Sequence, residues 1–507
     1  MITDYAVAHK FNCFVGDNAK NNDCTLINGL NNYLPSIHAT MECRVRCAGH
    51  IINLVVKAII YGKGVSKFER ELARAAPKDQ FDMFRVRGVV GRLHNFVNQV
   101  LASHVRRKLF MEIQQKAFED DEQLFNYVSL NLIKDGGIRW NSVYYMLLRC
   151  VELRDPIDLF YQRFRPSERE INDGYNPFTE PLSDDDWKDA KRLIDFLQHF
   201  ENITKRLEGN AGFGSLWKTL PHFQLLDNHI NRMKEETEGD PEGSFLRSGV
   251  RLGHEKLTSY WSKLVFDGEE YGQISPYVVA TMLHPKLRGN WFEDKWRKHK
   301  DYVTRAQACM KTAFERAVLA EDVTDDEPAT PSIRPRRQPG DEGYDEMVDD
   351  ILEVDDSYMY GAGRSARVRA KRQRLNTELD QYLEVENRKA DTISQPDLID
   401  HPMDWWHKIG RTRYPLLYKL ALDYLSIPST SCECERCFST AKRTITQDRN
   451  SIDAATIEAL QLQKNWLLNG CVSSHLSNLA SRLKKRERAQ VTQVAGDLMD
   501  IDDDDNV

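Results

Sequence analysis

Cysteine is scarce, with ten residues in 507, far below the density of a disulfide-built scaffold. Long apolar runs are missing too. The most hydrophobic stretch, Ile51 to Ile60, is interrupted by Lys57 and is about half of the ~20 residues that a membrane span requires. Met1 to Asn12 has neither the basic start nor the apolar centre of a secretory signal. No internal repeat is apparent, which excludes a solenoid. The expected setting is therefore the reducing interior of a cell, with no membrane partner. What is present is ordinary globular composition, 41% hydrophobic and 29% charged, in a chain long enough for about three compact units. The formal net charge of −7 is unevenly spread, because the acid concentrates in two segments, so nucleic-acid binding is not excluded.

Between Glu321 and Ser357 there are 14 Asp or Glu and four prolines, a composition that cannot bury enough surface to offset the entropy of ordering. A basic run follows, Arg364 to Arg374, and a second, Arg482 to Arg488, precedes the acidic Asp502 to Asp505. Each basic run reads either as a nuclear-import or backbone-contact segment or as a solvated charged helix face.

The ordered parts read as mainly helical with a small α/β element at the N-terminus. Cys13-Phe14-Val15 is a short strand that stops at Gly16-Asp17, and Leu26, Ile27 and Leu30 follow at helical spacing. Asp17 thus falls where a strand gives way to a loop and helix, the usual place for a working carboxylate. Arg44 to Cys47 reads as a second strand, and Ile51, Ile52, Val55, Val56 and Ile59 as one face of a buried helix. Phe81 to Lys116, Trp140 to Leu153 and Trp187 to Leu207 continue as a helical array. Further on, Pro415 suits a first helical position, with Leu416, Leu417, Leu420, Ala421 and Tyr424 as a stripe that ends at Ile427-Pro428. Thr430 to Glu433 fits a capping box for a helix carrying Glu435 and Phe438. A last helix from about Asp453 carries Ile457, Leu460, Trp466 and Leu467, with Gly470 as its stop.

Four segments, in order, resemble one family: Gly16 to Asp23 (GDNAKNND), Arg46 to Leu54 (RCAGHIINL), Ile138 to Ser142 (IRWNS), and the block from Trp405-Trp406 through Tyr414-Pro415 to Ser431–Ser439 (SCECERCFS). Their order and spacing are similar to the hAT superfamily of DNA transposases, the last block to its C-terminal dimerisation region. The resemblance implies an α/β ribonuclease-H-like core, here incomplete, split by a large all-α insertion. It implies 1–65 as the partial core, 66–318 as the helical insertion, and 319–375 as a disordered acidic then basic linker. It further implies 376–475 as the end of the insertion with the dimerisation region completing the core, and 476–507 as a charged disordered tail. In the family two aspartates and a glutamate hold divalent metals, hard cations that carboxylates suit and that cleave a phosphodiester when about 3.5–4 Å apart. By resemblance Asp17 takes the second aspartate position and Glu435 the glutamate, with Mg²⁺ or Mn²⁺ as the metal of an active enzyme. The family's first aspartate lies in an Asp-x-Trp-Thr-Ser segment upstream, and a zinc finger lies further upstream. Asp4, followed by Tyr5-Ala6, does not match that segment. The expectation is therefore an N-terminally truncated, domesticated relative that binds DNA and dimerises in the nucleus without transposing. The alternatives are an active transposase whose gene model lost its start, and a protein-interaction scaffold without DNA binding.

Each nominated residue also has a plainer reading. Asp17 suits an Asx turn at a strand end, and Glu435 an exposed helical glutamate. Cys43, Cys47 and His50, and likewise Cys432, Cys434 and Cys437, lack the second spaced pair of a tetrahedral site, so no zinc is expected. His50 is either a core histidine or, by resemblance, a group near the active site that positions DNA. Arg139 and Trp140 either stack on and contact an unpaired nucleotide, as the family's tryptophan does, or begin a helix from its core side. The basic residues Arg85, Arg87, Arg92, Arg106, Arg107 and Lys108 are either a phosphate-contacting surface or solvation. Leu416, Leu420, Tyr424, Phe438, Ile457, Leu460 and Leu467 are either an intersubunit surface or a monomer interior, and the resemblance favours self-association.

Overall fold

The computed structural model describes residues 11–18, 20–33, 40–118, 130–136, 139–172, 178–208, 214–241, 244–266, 273–324, 378–384, 401–444 and 453–468. The expected linker from 325 on, the C-terminal tail, Gly470 and both basic runs lie outside the described residues, while 319–324, read as the start of the linker, are helical. The chain forms two compact units, Met1–Thr430 and Ser431–Val507.

The first unit opens with strand β1 (Phe14–Gly16), helix α1 (Lys20–Tyr33) and strand β2 (Arg44–Arg46). The strands are parallel, with Phe14 beside Arg44, Val15 beside Val45 and Gly16 beside Arg46. Parallel neighbours cannot be joined by a tight turn, so the connection carries a helix. These two strands are the whole sheet among the described residues, so the described α/β element is smaller than a ribonuclease-H-like core.

The elements that follow among the described residues are helical: α2 (Ala48–Tyr61), α3 (Val65–Leu72), α4 (Pro77–Arg85), α5 (Gly88–Leu101), α6 (His104–Phe118), α7 (Trp140–Glu152), α8 (Arg154–Arg163), α9 (Glu168–Asn172), α10 (Asp184–Glu208), α11 (Thr219–Glu236), α12 (Phe245–Val265), α13 (Pro276–Met282), α14 (Arg288–Lys295) and α15 (Lys300–Thr324). The single helical pattern read over Phe81 to Lys116 is three helices. The first break holds Gly88 at φ 62°, a left-handed conformation that suits glycine and interrupts a helix.

Helix α2 carries a broad apolar face. Ile51, Ile52, Val55, Val56, Ile59 and Ile60 are all buried, so it needs cover on more than one side. Helices α10 and α12 both pack on it. On α12, Gly249 and Gly253 share one face, and a Cβ at Gly249 would run into the carbonyl oxygen of Ile59, one at Gly253 into the Ile59 side chain. The two backbones approach so closely only because both positions are glycine.

The end of the first unit returns to its beginning. A helical segment at 378–383 precedes α16 (Pro402–Trp405), a π turn at Trp406–Gly410, and α17 (Pro415–Leu425), whose first residue is the proline expected there. Glu378 accepts a hydrogen bond of 2.8 Å from Leu417 N–H and so caps α17. Arg288, fully buried at φ 46°, stacks its guanidinium 4.1 Å from the Tyr382 ring centroid and donates to the Tyr382 carbonyl at 2.6 Å. The indole of Trp406 donates to Leu283 at 2.8 Å. Beyond α17 the chain docks at two places within the unit: Ser215 and Leu216 N–H donate to Ile427 O, and Ala48 N–H, at the start of α2, donates to Ser429 O at 2.9 Å.

The second unit pairs α18 (Cys432–Thr444) with α19 (Ala454–Leu468). The side chain of Glu433, one half of the expected capping box, lies outside the described residues. The Ser431 hydroxyl donates to Glu435 Oε1 at 3.2 Å, four residues on. α19 starts where expected, and Asp453 caps it, accepting from Thr456 N–H at 2.7 Å.

Gly249→Ala is expected to lower stability by about 1–3 kcal/mol, since the new methyl group meets backbone. Gly29→Ala, in an uncrowded part of α1, is expected to be neutral or to gain about 0.5–1 kcal/mol from helix propensity. Urea unfolding of the two variants measures the contrast, and equal midpoints would contradict the close crossing.

Candidate functional site

Asp17 lies exposed just beyond β1, at the strand end where the sequence places it. Its Oδ1 accepts from Asn22 Nδ2 at 2.6 Å, which spans the start of α1 as an Asx-type contact does. The neighbouring β2 contributes Arg44, buried by its stem, whose guanidinium donates to the carbonyl oxygens of Gly16, Val45 and Asp17. A fixed positive charge thus sits against the backbone of the acidic residue. Arg46 is tied by its backbone to Tyr277, which accepts from Arg46 N–H at 2.6 Å and donates to Arg46 O at 3.0 Å. Glu435 belongs to the second unit, where it meets Ser431.

A two-metal centre needs converging carboxylates. Among the described residues no three of His, Cys, Asp and Glu come together as a metal-holding group. The described side chains by themselves leave the donor set of a divalent-metal centre incomplete.

The Cys47 and His50 segment is the start of α2. Cys47 is buried, its N–H donating to Gly16 O at 2.8 Å. His50 is half-buried in the first turn. The second helical motif is attached to the same helix. Asn53, which the sequence reading did not nominate, accepts from Trp140 N–H at 3.1 Å. Arg139, exposed, provides the extended residue before α7, and its carbonyl accepts from the Ser142 hydroxyl at 2.7 Å.

Trp140 itself corrects the base-stacking reading. Its side chain is 1% exposed, edge-on to Phe200 at 6.5 Å and tilted against Tyr144 at 6.1 Å. An indole on the inner face of α7 stacks on protein, because the helix begins at Trp140 and carries Val143, Tyr144 and Leu147 inward with it.

The basic residues from Arg85 to Lys108 are largely committed to neighbours. Arg85 pairs with Glu180, Arg92 with Asp186 and Arg106 with Glu170. Arg87 lies over the Phe68 ring at 4.2 Å and donates to Tyr61 O. The Arg85 guanidinium holds Glu180 below the usual carboxylate range. Burial pushes Glu170 and Asp186 up, but hydrogen bonds from Ser167 and Ser183, with the guanidinium of Arg106 and Arg92, outweigh it and hold both low. All three carboxylates are therefore ionised at neutral pH and compete with a phosphate for these arginines. Arg107 stays exposed, and Lys108 has Glu112 at 3.9 Å.

The expected dimerisation residues divide between the two units. Leu420 and Tyr424 are buried in the first unit and Leu416 is half-buried, so this stripe is interior and not an intersubunit surface. The apolar spacing was read correctly, but spacing does not say what covers a stripe. In the second unit Phe438 is 73% exposed and Leu460 40%, while Ile457 and Leu467 are half-buried. Trp466, 50% exposed, and Leu462 add to this apolar set, and the sequence reading had nominated neither for it.

Trp140→Ala is expected to cost about 3–5 kcal/mol of stability, the range for emptying a large aromatic site in a core. Thermal unfolding checks it, and an unchanged transition with weakened DNA binding would restore the stacking role.

Two family models match the chain. Residues 378–467 match the hAT family C-terminal dimerisation region, and residues 45–196 the ZBED1 RNase-like helical domain. The second match starts at β2 and runs into α10, across the expected border between core and insertion. Among curated proteins the chain is similar to the zinc finger BED domain-containing protein DAYSLEEPER of Arabidopsis thaliana, 25% identical over 67% of this chain and 41% of that protein. It is similar to an AC9 transposase of Zea mays, 31% identical over 83% of this chain and 45% of the relative. It also resembles the transcriptional regulator tpeD of Talaromyces stipitatus, 22% identical over 88% and 44%. The chain thus spans less than half the length of these three relatives. No helix among the described residues is long and apolar enough to cross a membrane. With its relatives found among AC transposases and BED zinc finger proteins, the chain carries a hAT family C-terminal dimerisation region and a ZBED1 RNase-like helical domain.

Proposed function

We propose that this chain is a nuclear, transposase-derived protein that associates with itself and with DNA and does not cut it. The observation that carries the reading is the apolar set on α18 and α19. Phe438, Leu460, Leu462 and Trp466 are exposed within the stretch that matches the hAT dimerisation region. Two helices that leave a tryptophan and a phenylalanine in water gain free energy by covering them, at about 25 cal/mol per Å² of apolar surface. A second copy presents the same surface, which is the geometry of a closed two-fold dimer.

Association with DNA is supported by the relatives, a transposase and a transcriptional regulator, and so is nuclear residence. The β1–α1–β2 unit, with Ser429 returning to the start of α2, is what the first part of a split ribonuclease-H-like core would look like. On that reading Asp17 and Glu435 occupy metal-ligand positions, and Mg²⁺ or Mn²⁺ is the ion they would favour. The Arg44 guanidinium beside Asp17 and the hydroxyl on Glu435 support the inactive assignment. A cation already placed against the acidic strand end raises the cost of bringing a divalent ion there.

Light scattering on the full chain is expected to give a dimer, and Phe438→Glu/Trp466→Glu a monomer with unchanged helical content. A wild type that runs as a monomer overturns the self-association reading. On the same samples, labelled duplex DNA is expected to bind and to stay intact with Mg²⁺ or Mn²⁺. Cleavage that disappears in both Asp17→Ala and Glu435→Ala would show a working metal site, and absence of binding would leave a protein scaffold.

A further inference from the structure

A cleft of about 410 Å³ opens where the end of α2, the turn after it and the start of α3 face α12. Its lining holds four lysines, Lys57, Lys63, Lys67 and Lys256, against one carboxylate, Glu255. The turn explains the crowding of positive charge. Gly62 and Gly64 both take left-handed conformations, at φ 78° and 80°, so the chain reverses within three residues and brings Lys57, Lys63 and Lys67 to one opening.

The four ammonium groups are not equally available. Lys57 is almost fully buried and paired with Glu69, which fixes it in the wall. Lys67 has Glu71 at 3.7 Å, but both side chains are mostly exposed, and such a helical pair is worth only a few tenths of a kcal/mol. Lys63 stands exposed on the turn, and Lys256 lies 5.5 Å from the Tyr260 ring, a contact that leaves its charge intact. The first turn of α3 adds the partial positive charge of a helix start.

The chemistry of the lining selects the ligand. Lysines act as mobile point charges that meet a phosphate without the fixed fork of arginine. No aromatic ring lines the cleft to stack a base, while Leu54 and Leu252 offer apolar surface of the kind a sugar edge covers. Contacts of this sort hold a sugar-phosphate strand without reading its sequence. They are also distinct from the arginines of α4 to α6, which carboxylates of the same unit already occupy.

We infer that this lysine cleft is where the chain holds the phosphate backbone of duplex DNA, an inference that rests on the DNA-binding reading above. Lys63, Lys67 and Lys256 make the contacts, and Lys57 with Glu69 keeps the wall in shape. Binding through the cleft is independent of sequence and steeply dependent on salt.

The test is fluorescence anisotropy of the full chain with a labelled duplex across a salt series. Lys63→Glu/Lys67→Glu/Lys256→Glu is compared with a control of equal charge change at exposed positions outside the cleft, Lys78→Glu/Lys116→Glu/Lys298→Glu. Circular dichroism confirms that both remain folded, and the Gln versions of the cleft residues separate lost attraction from added repulsion. The cleft variant is expected to bind at least about tenfold more weakly, with the slope of log K against log salt reduced by about 2–3, roughly one unit per lost phosphate contact, while the control stays near wild type. Equal weakening in both triples overturns the cleft and leaves the DNA-binding reading standing. No binding by wild type removes that reading, and the cleft inference falls with it. In a parallel arm, inorganic tripolyphosphate is added alone. Thermal stabilisation that the cleft variant loses, with DNA affinity unchanged, would make the cleft a small-anion site and overturn the backbone assignment.

Discussion

The first unit is organised by the need to cover α2. Six buried isoleucines and valines cover a broad half of this helix, so more than one neighbour must close on it. The closest of them, α12, reaches it by giving up side chains at Gly249 and Gly253, and the contact is backbone against Ile59. Near its start α2 is hydrogen-bonded to Ser429, with β2 immediately before it, and midway along Asn53 holds the first residue of α7. One apolar segment of 14 residues therefore sets the position of the strand pair, the insertion helices and the returning chain.

The return of the chain is secured differently, by polar groups buried among aromatic rings. Arg288 is completely enclosed, and its cost of desolvation is offset by carbonyl acceptors and by the faces of Tyr382 and Trp405. Trp405, Trp406 and Tyr414 pack around the same point, and the π turn at Trp406–Gly410 tolerates the crowding because a Cβ at Gly410 would enter the Trp406 ring. Hydrophobic cover alone would leave the register of this segment loose. Directional hydrogen bonds from a buried guanidinium and an indole restrict it to one.

Charge follows the same logic of commitment. Three arginines that look like a basic surface when read along the chain are satisfied by carboxylates about 60 to 95 residues away. Such pairs add little stability where they are exposed, yet they decide which cations remain for an external anion. The lysines around the Gly62–Gly64 turn have fewer or weaker partners, so the positive surface moves from the helices that are richest in arginine to a turn that composition does not single out.

Much of the local structure was legible along the chain. Both short strands, α2, α7, α10 and the proline-initiated α17 follow from periodicity and from residues with fixed backbone preferences, and Asp17 sits at its strand end as expected. The hAT-type regions were legible because their motifs are local strings. What could not be read was occupancy. The same apolar spacing is interior at Leu420 and Tyr424 and surface at Phe438 and Leu460. Trp140 faces a core, and Arg85, Arg92 and Arg106 have partners far along the chain. The sequence by itself determined which segments are helices and which residue types they carry, since those depend on neighbours three or four positions away. Only the tertiary structure decided which faces are covered and which charges are spent, since burial and ion pairing are set by residues that meet only after the chain has folded.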